Sequence, residues 1–215
     1  MSHLNEAGWI DKLTIIGAFW LHDGNSKRPH ALLTSGRHSD GFFNGSRIIE
    51  NPALLYPTMY DLVEKIGRLP VQRLSDLWVI GSALGAGDLS YEIARQLKCR
   101  RGFTEPVEVD GIKTMELKRF ELPSCAPVLL VEDVFTTGGT TEQTKLAVEK
   151  KGGVVLPVIG VLVNRSGKKE LAGCQVVALI DREMPMWEPA VCPLCLRGSR
   201  AVRPKANWDL LTARF

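Results

Sequence analysis

The chain has 215 residues, 45% of them hydrophobic and 24% charged, and 27 Lys+Arg against 24 Asp+Glu leave a net charge of +3. A core of this size buries roughly 70% of the unfolded chain's surface, so stability requires neither disulfides nor a structural metal. So small and interleaved a charge excludes a nucleic-acid surface built on bulk basicity. The longest uncharged apolar stretch, residues 154–163, is half the roughly 20 residues of a bilayer span, and an odd five cysteines without a signal-peptide pattern point to a reducing, cytoplasmic compartment.

No internal repeat, low-complexity segment or Pro/Gly-rich linker divides the chain, which reads as one domain. Residues 5–21 carry Trp9, Ile10, Leu13, Ile16, Phe19 and Trp20 near helical spacing, predicting an amphipathic helix ended by Asp23-Gly24. Residues 32–47, rich in Ser, Gly, His and Asn around Phe42 and Phe43, read as short strands and turns. Asn51-Pro52 supplies a cap and a first-turn proline for a helix running to Gly67. From residue 76 short apolar strands alternate with helices: a strand at 77–80, a glycine-rich turn at 81–87, and a helix at 88–97. A second strand at 128–131 ends in Glu132-Asp133 and the turn 134–139; a helix at 140–151 and strands at 154–163 and 175–180 follow. That order predicts an α/β fold with a central parallel sheet flanked by helices. Ligands bind such sheets at the carboxyl ends of the strands, where both glycine-rich turns lie.

The most informative stretch is Val128-Leu-Leu-Val-Glu-Asp-Val-Phe-Thr-Thr-Gly-Gly-Thr140. Two adjacent carboxylates at the end of a hydrophobic strand need partners, and a ligand can supply them. The hydroxyls and glycines that follow stand at a helix N-terminus, where backbone N–H groups and the dipole favour a phosphate. Acceptors for sugar hydroxyls on one side and a phosphate cradle on the other suit a ribose 5-phosphate. The alternative is a capping box of Thr140 with Gln143 beside a solvated strand end. Such capping is expected to operate, but it requires neither the two acids nor the two glycines. Neither G-x-G-x-x-G nor G-x-x-x-x-G-K-[ST] occurs.

These 13 residues resemble the signature of type I phosphoribosyltransferases, enzymes that bind 5-phosphoribosyl 1-diphosphate (PRPP). The resemblance extends to the orotate phosphoribosyltransferases. Leu33-Thr34-Ser35-Gly36-Arg37-His38-Ser39-Asp40 with Phe42-Phe43 is similar to their base-binding segment, Gly81-Ser82-Ala83-Leu84-Gly85 to their diphosphate loop, and Val163-Asn164-Arg165-Ser166-Gly167 to the segment with a base-contacting arginine. The resemblance implies a type I phosphoribosyltransferase-like fold with a small hood and a flexible loop, a single domain over 1–215. Within it the hood would cover about 1–75, the PRPP-binding core 76–182, and an extension 183–215. It implies attack of orotate on C1 of PRPP, with Mg²⁺ held mainly through PRPP and a homodimer as the assembly. Glu132 and Asp133 would hold the ribose hydroxyls; Thr136, Thr137, Gly138, Gly139 and Thr140 the 5-phosphate; Ser82, Ala83, Leu84 and Gly85 the diphosphate. Thr34, Ser35, Gly36, Phe42 and Phe43 would border the base, and Arg165 would pair with the carboxylate of orotate.

Residues 98–121 read as two strands, near 101–107 and 115–122, joined by a turn at Asp110-Gly111. In the resembled family this is the loop that closes over PRPP, which makes Lys118 and Arg119, with Lys113 behind them, the catalytic cations. A solvated hairpin of alternating charge is the rival reading. Leu84 stands where many relatives have a lysine, and Pro106 where a cation is expected, so another base (purine, xanthine or uracil) and a non-catalytic PRPP-binding regulator remain alternatives. Cys192 and Cys195 have the spacing of half a zinc site. The readings are a half-site completed by other residues or a second subunit, a redox pair, or two reduced thiols; plain thiols are preferred, because no second pair follows.

Overall fold

The computed structural model describes residues 3–83 and 85–213; Leu84 of the expected diphosphate turn lies outside the described residues. The chain opens with α1 (Glu6–Ile15), whose cap Asn5 accepts from the Gly8 N–H. The helix stops short of residue 21, because Gly17 takes φ 74° and turns the chain into strand β1 (Phe19–Leu21). Then follow β2 (His30–Leu32), β3 (His38–Ser39), β4 (Gly41–Phe43), the short α2 (Ser46–Ile49) and α3 (Pro52–Ile66). As expected, the Asn51 side chain caps α3 by accepting from Ala53 N–H at 3.1 Å, and Gly67 ends it.

The α/β portion comprises β5 (Trp78–Gly81), α4 (Gly87–Leu97), β6 (Arg100–Phe103), β7 (Glu105–Val109), β8 (Ile112–Glu116), β9 (Pro127–Phe135), α5 (Gly139–Lys150), β10 (Val154–Asn164), β11 (Glu170–Leu171) and β12 (Cys174–Asp181). Six of these strands form one sheet in the order β11-β12-β10-β9-β5-β6, parallel except for the edge strand β11. Strand alternation sends Val79, Leu129, Val131, Leu162 and Leu179 to a face covered by Trp9, Leu13, Met59, Leu62, Leu89 and Ile93 of the three longer N-terminal helices. Trp78, Ile80, Val128, Leu130, Val161 and Val176 line the other face with Val148 of α5. A sheet covered on both faces explains why these strands are continuously apolar.

The chain ends with β13 (Met186–Trp187), α6 (Pro193–Leu196), β14 (Ala201–Val202) and α7 (Trp208–Thr212). A second sheet, β13-β3-β2-β14, joins the N-terminal hairpin of β2 and β3 to two strands of the C-terminal extension. The β7–β8 hairpin turns at Asp110 and Gly111, both in the left-handed region, as the sequence predicts. Its second strand ends at Glu116, so Lys118 and Arg119 follow it rather than lie within it. No helix among the described residues is long and apolar enough to cross a membrane.

Candidate active site

β9 lies between β5 and β10, so its carboxyl end emerges in the middle of the sheet. Alternation along β9 separates the two acids. Glu132 continues the face of Val128 and Leu130 toward α5, where its Oε2 accepts from the Thr141 hydroxyl at 2.9 Å. It is 6% exposed, and burial, reinforced by the neighbouring Asp133 charge, pushes its carboxyl up to about 8. Asp133 turns to the opposite face and is half-buried. Its carboxylate accepts from Val134 N–H at 2.8 Å and stands between two glycines. A Cβ at position 85 would come within 2.7 Å of Asp133 Oδ2, and one at Gly45 within 3.4 Å, so the diphosphate turn and the segment after β4 both converge on this carboxylate.

Gly138 is the N-cap of α5, in the left-handed region at φ 89°, and no side chain caps the helix. The expected Thr140–Gln143 capping box does not form: Gln143 Oε1 instead accepts from the Thr114 hydroxyl of β8 at 2.6 Å. The first-turn N–H groups of a helix have no intrahelical partners, so this terminus favours an anion. On the β5 side, Ala83 takes φ 57°, a conformation costly for a residue with a Cβ, and Ser82 Oγ is buried with no hydrogen-bond partner among the described residues. One cavity of about 280 Å³ unites these parts: Ser82, Ala83, Gly85, Glu132, Asp133, Thr136, Gly138, Gly139 and Thr140 line it, joined by Val134 and Thr141. Thr137 is exposed beside it. Two larger hollows, of about 500 and 470 Å³, lie below α3 and between the hairpin and α5; the carboxylates line neither.

One strand over, Arg165 follows β10, whose Asn164 pairs with Phe135. Arg165 is 7% exposed, and its side chain donates from Nη2 to Ser39 Oγ at 2.8 Å and to the Met184 carbonyl at 3.1 Å, while Nε has no partner among the described residues. No carboxylate of the described residues lies within ion-pair distance, and burial pulls its pKa down against the more distant charge of Asp40. A buried guanidinium with donors to spare suits an incoming anion.

No model of a protein family matches the chain. The orotate phosphoribosyltransferase of Caldicellulosiruptor bescii is 39% identical over 176 residues, covering 81% of this chain and 87% of that protein. The namesake protein of Acidithiobacillus ferrooxidans is 35% identical over 188 residues, 87% of this chain and 93% of its own. The chain belongs to the orotate phosphoribosyltransferase family. The crystal structure of orotate phosphoribosyltransferase from Aeropyrum pernix has the same fold, with a TM-score of 0.60 at 24% identity over 80% of this chain and 92% of that one. Membership in the orotate phosphoribosyltransferase family makes the chain a pentosyltransferase and the sheet that of a type I phosphoribosyltransferase.

Other expected residues of this orotate phosphoribosyltransferase family member stand farther apart. Phe43 is buried in the core, and its ring edge reaches the Gly45 position beside Asp133. Phe42, on the other side of β4, tilts against Trp208 with ring centroids 6.4 Å apart. Thr34, Ser35 and Gly36 form the tip of the β2–β3 hairpin, with Thr34 and Ser35 exposed, and among the described residues they make no hydrogen bond to the carboxylates or the phosphate loop. Lys118 and Lys113 are exposed, and Arg119 is paired with Glu105 at 2.9 and 3.1 Å. The sequence reading missed Lys168, whose Nζ donates to the Thr137 carbonyl at 3.1 Å and brings a cation to the rim of the phosphate loop. The signal was present, since Lys168 directly follows the Arg165 segment.

Proposed function

We propose that this chain transfers the 5-phosphoribosyl group of PRPP to orotate, giving orotidine 5-monophosphate and diphosphate in pyrimidine nucleotide biosynthesis. The observation that carries the reading is the single cavity in which an uncapped helix N-terminus, two carboxyl groups and a strained glycine turn meet. The N-terminus of α5, with the hydroxyls of Thr136, Thr137 and Thr140, receives the 5-phosphate. Asp133 and Glu132 accept from the ribose hydroxyls and place carboxyl groups beside the ring, where positive charge grows as the bond to diphosphate lengthens. The turn from Ser82 to Gly85 receives the diphosphate, with the buried Ser82 hydroxyl as a ready partner. Arg165 takes the carboxylate of orotate; Phe43 and the Thr34–Gly36 tip border the base. Lys118 and Arg119 come to the leaving group when the hairpin closes.

Mg²⁺ fits this site as a companion of PRPP. The half-exposed Asp133 carboxylate offers a hard oxygen ligand, and a single carboxylate completed by phosphate oxygens suits this ion. Bound there, Mg²⁺ neutralises diphosphate charge. The family resemblance supports a cytoplasmic homodimer acting on small molecules, and the low net charge supports a reading with neither nucleic acid nor membrane as partner.

The test is to incubate the protein with PRPP and Mg²⁺ together with orotate, uracil, xanthine, adenine or guanine and follow diphosphate release. Release with orotate in preference to the other bases is expected. Preference for another base, or PRPP binding without release, would overturn the reading.

A further inference from the structure

Far along the chain from the phosphate loop, the C-x-x-C pair finds the partners that its sequence neighbourhood lacks. His30 of β2, His38 of β3, Cys192 and Cys195 each bring one ligand atom into a cluster whose members all lie within 4.8 Å of one another. His30 Nε2 is 3.1 Å from His38 Nδ1 and 3.5 Å from the sulfurs of both Cys192 and Cys195, and Cys195 Sγ is 3.3 Å from His38 Nδ1. A tetrahedral zinc with bonds of about 2.0–2.1 Å to nitrogen and 2.3 Å to sulfur has edges of about 3.3 Å between nitrogens and about 3.6 Å between nitrogen and sulfur. The cluster is therefore already close to the size of such a tetrahedron.

The protonation pattern agrees. Ser199 Oγ donates to the Arg28 carbonyl at 2.6 Å, so toward His30 Nδ1, 2.8 Å away, it is the acceptor. That fixes the His30 proton on Nδ1 and leaves the Nε2 lone pair aimed into the cluster, the outer-shell arrangement that orients metal-binding histidines. Three groups crowd that one lone pair. Hydrogen bonding alone satisfies one of them, whereas a cation satisfies all four ligands at once. His30 and Cys192 are 0% exposed, His38 is 7% exposed and Cys195 is partly buried, so the cluster is largely enclosed by protein.

We propose that His30, His38, Cys192 and Cys195 form a structural Zn²⁺ site that clamps the C-terminal extension to the N-terminal hairpin. The sheet it would hold is small: β2, β3, β13 and β14 have only two or three residues each, and the cluster behind them has four buried apolar residues, Trp20, Ala31, Val202 and Leu211. Elements this small gain little from burial alone, and metal binding supplies folding energy directly. The proposal is independent of the phosphoribosyl transfer reading, because none of the four ligands lines the cavity at Asp133.

The test begins with untagged protein made without added zinc and dialysed against metal-free buffer. Metal analysis is expected to give one zinc per chain, and less than one per two chains overturns the site. Cys195→Ser should lose the metal, while a chain carrying Cys99→Ser, Cys125→Ser and Cys174→Ser keeps it; the opposite pattern overturns the ligand set. Where Cys195→Ser does not fold, cobalt exchange into the unaltered chain decides. Intense ligand-field bands with a thiolate charge-transfer band support the site, and a weak spectrum without that band overturns it. A native intact mass two hydrogens short of the reduced mass, the mark of a Cys192–Cys195 disulfide, also overturns it. Removing the metal with a chelator should lower Tm by about 5 °C or more, and an unchanged Tm overturns the clamp.

Discussion

Glu132 shows how position on a strand, rather than residue type, decides what a carboxyl group does. It sits at the inner wall of the cavity, nearly buried and bonded to Thr141 on the α5 side, while Asp133 beside it is half-buried on the opposite face, against the Gly85 and Gly45 positions. With its carboxyl pushed up to about 8, against 4.5 as the ordinary value, the folded chain keeps a proton that the unfolded chain has already released between those limits. The unfolded state then binds fewer protons, so stability falls as pH rises through this window, by about 1.4 kcal/mol per unit at the steepest. Glu132→Gln removes the titration while keeping the acceptor for Thr141. Urea unfolding from pH 5 to 9 should show the variant no more stable than the parent near pH 5 and about 2 kcal/mol or more ahead at pH 8.5. Parallel profiles would mean that Glu132 ionises normally. The two acids were legible because they are contiguous with the glycine turn in sequence. Their division between two environments was not, because it depends on which neighbour covers each face of β9.

At the scale of elements, β5, α4, α5, β10 and β12 were legible to within a residue or so, since these strands are apolar and both helices begin at a glycine turn. By contrast, β9 runs on through the two acids to Phe135, and the stretch read as one strand near 101–107 splits into β6 of the central sheet and β7 of the hairpin. α1 was misjudged because Phe19 and Trp20 continue the helical spacing of Trp9 and Leu13; only the left-handed Gly17 and the pairing of β1 with β4 reveal a strand. The capping box failed for a similar reason: Gln143 found a partner on β8 that its local sequence does not contain. The β7–β8 hairpin carries the corresponding prediction for catalysis. Arg119 is held by Glu105 in an exposed pair, a kind of contact that is weak and easily exchanged, whereas Lys118 is exposed beside it. If the hairpin closes over PRPP, Lys118→Ala should lower kcat about tenfold or more, because a cation lost at the leaving group acts mainly in the transition state. PRPP affinity by calorimetry should change by less than about threefold. Equal losses in kcat/KM and affinity with kcat unchanged would reduce Lys118 to a simple phosphate contact.

Across the whole molecule, a single guanidinium ties the small sheet to the large one. Arg165 is anchored at the end of β10 by its backbone, which donates to the Phe135 carbonyl at 3.0 Å, and its side chain reaches Ser39 of β3. Ser39 Oγ in turn donates to the Pro185 carbonyl at 2.8 Å, next to β13, so hairpin, C-terminal extension and central sheet meet at one buried charge. A charge buried without a carboxylate partner is tolerated where a ligand supplies the missing anion, and orotate carries one. Arg165→Ala should therefore raise the KM for orotate by about 100-fold, on the order of 2.7 kcal/mol, and leave PRPP affinity within about threefold. Arg165→Lys should rescue little of that loss, because an ammonium lacks the planar fork that serves Ser39, Met184 and a carboxylate together. A purely architectural role predicts the reverse: a lower Tm, losses shared between orotate and PRPP, and partial recovery with lysine. Steady-state kinetics with orotate varied at saturating PRPP, read beside the unfolding midpoints of both variants, separates the two.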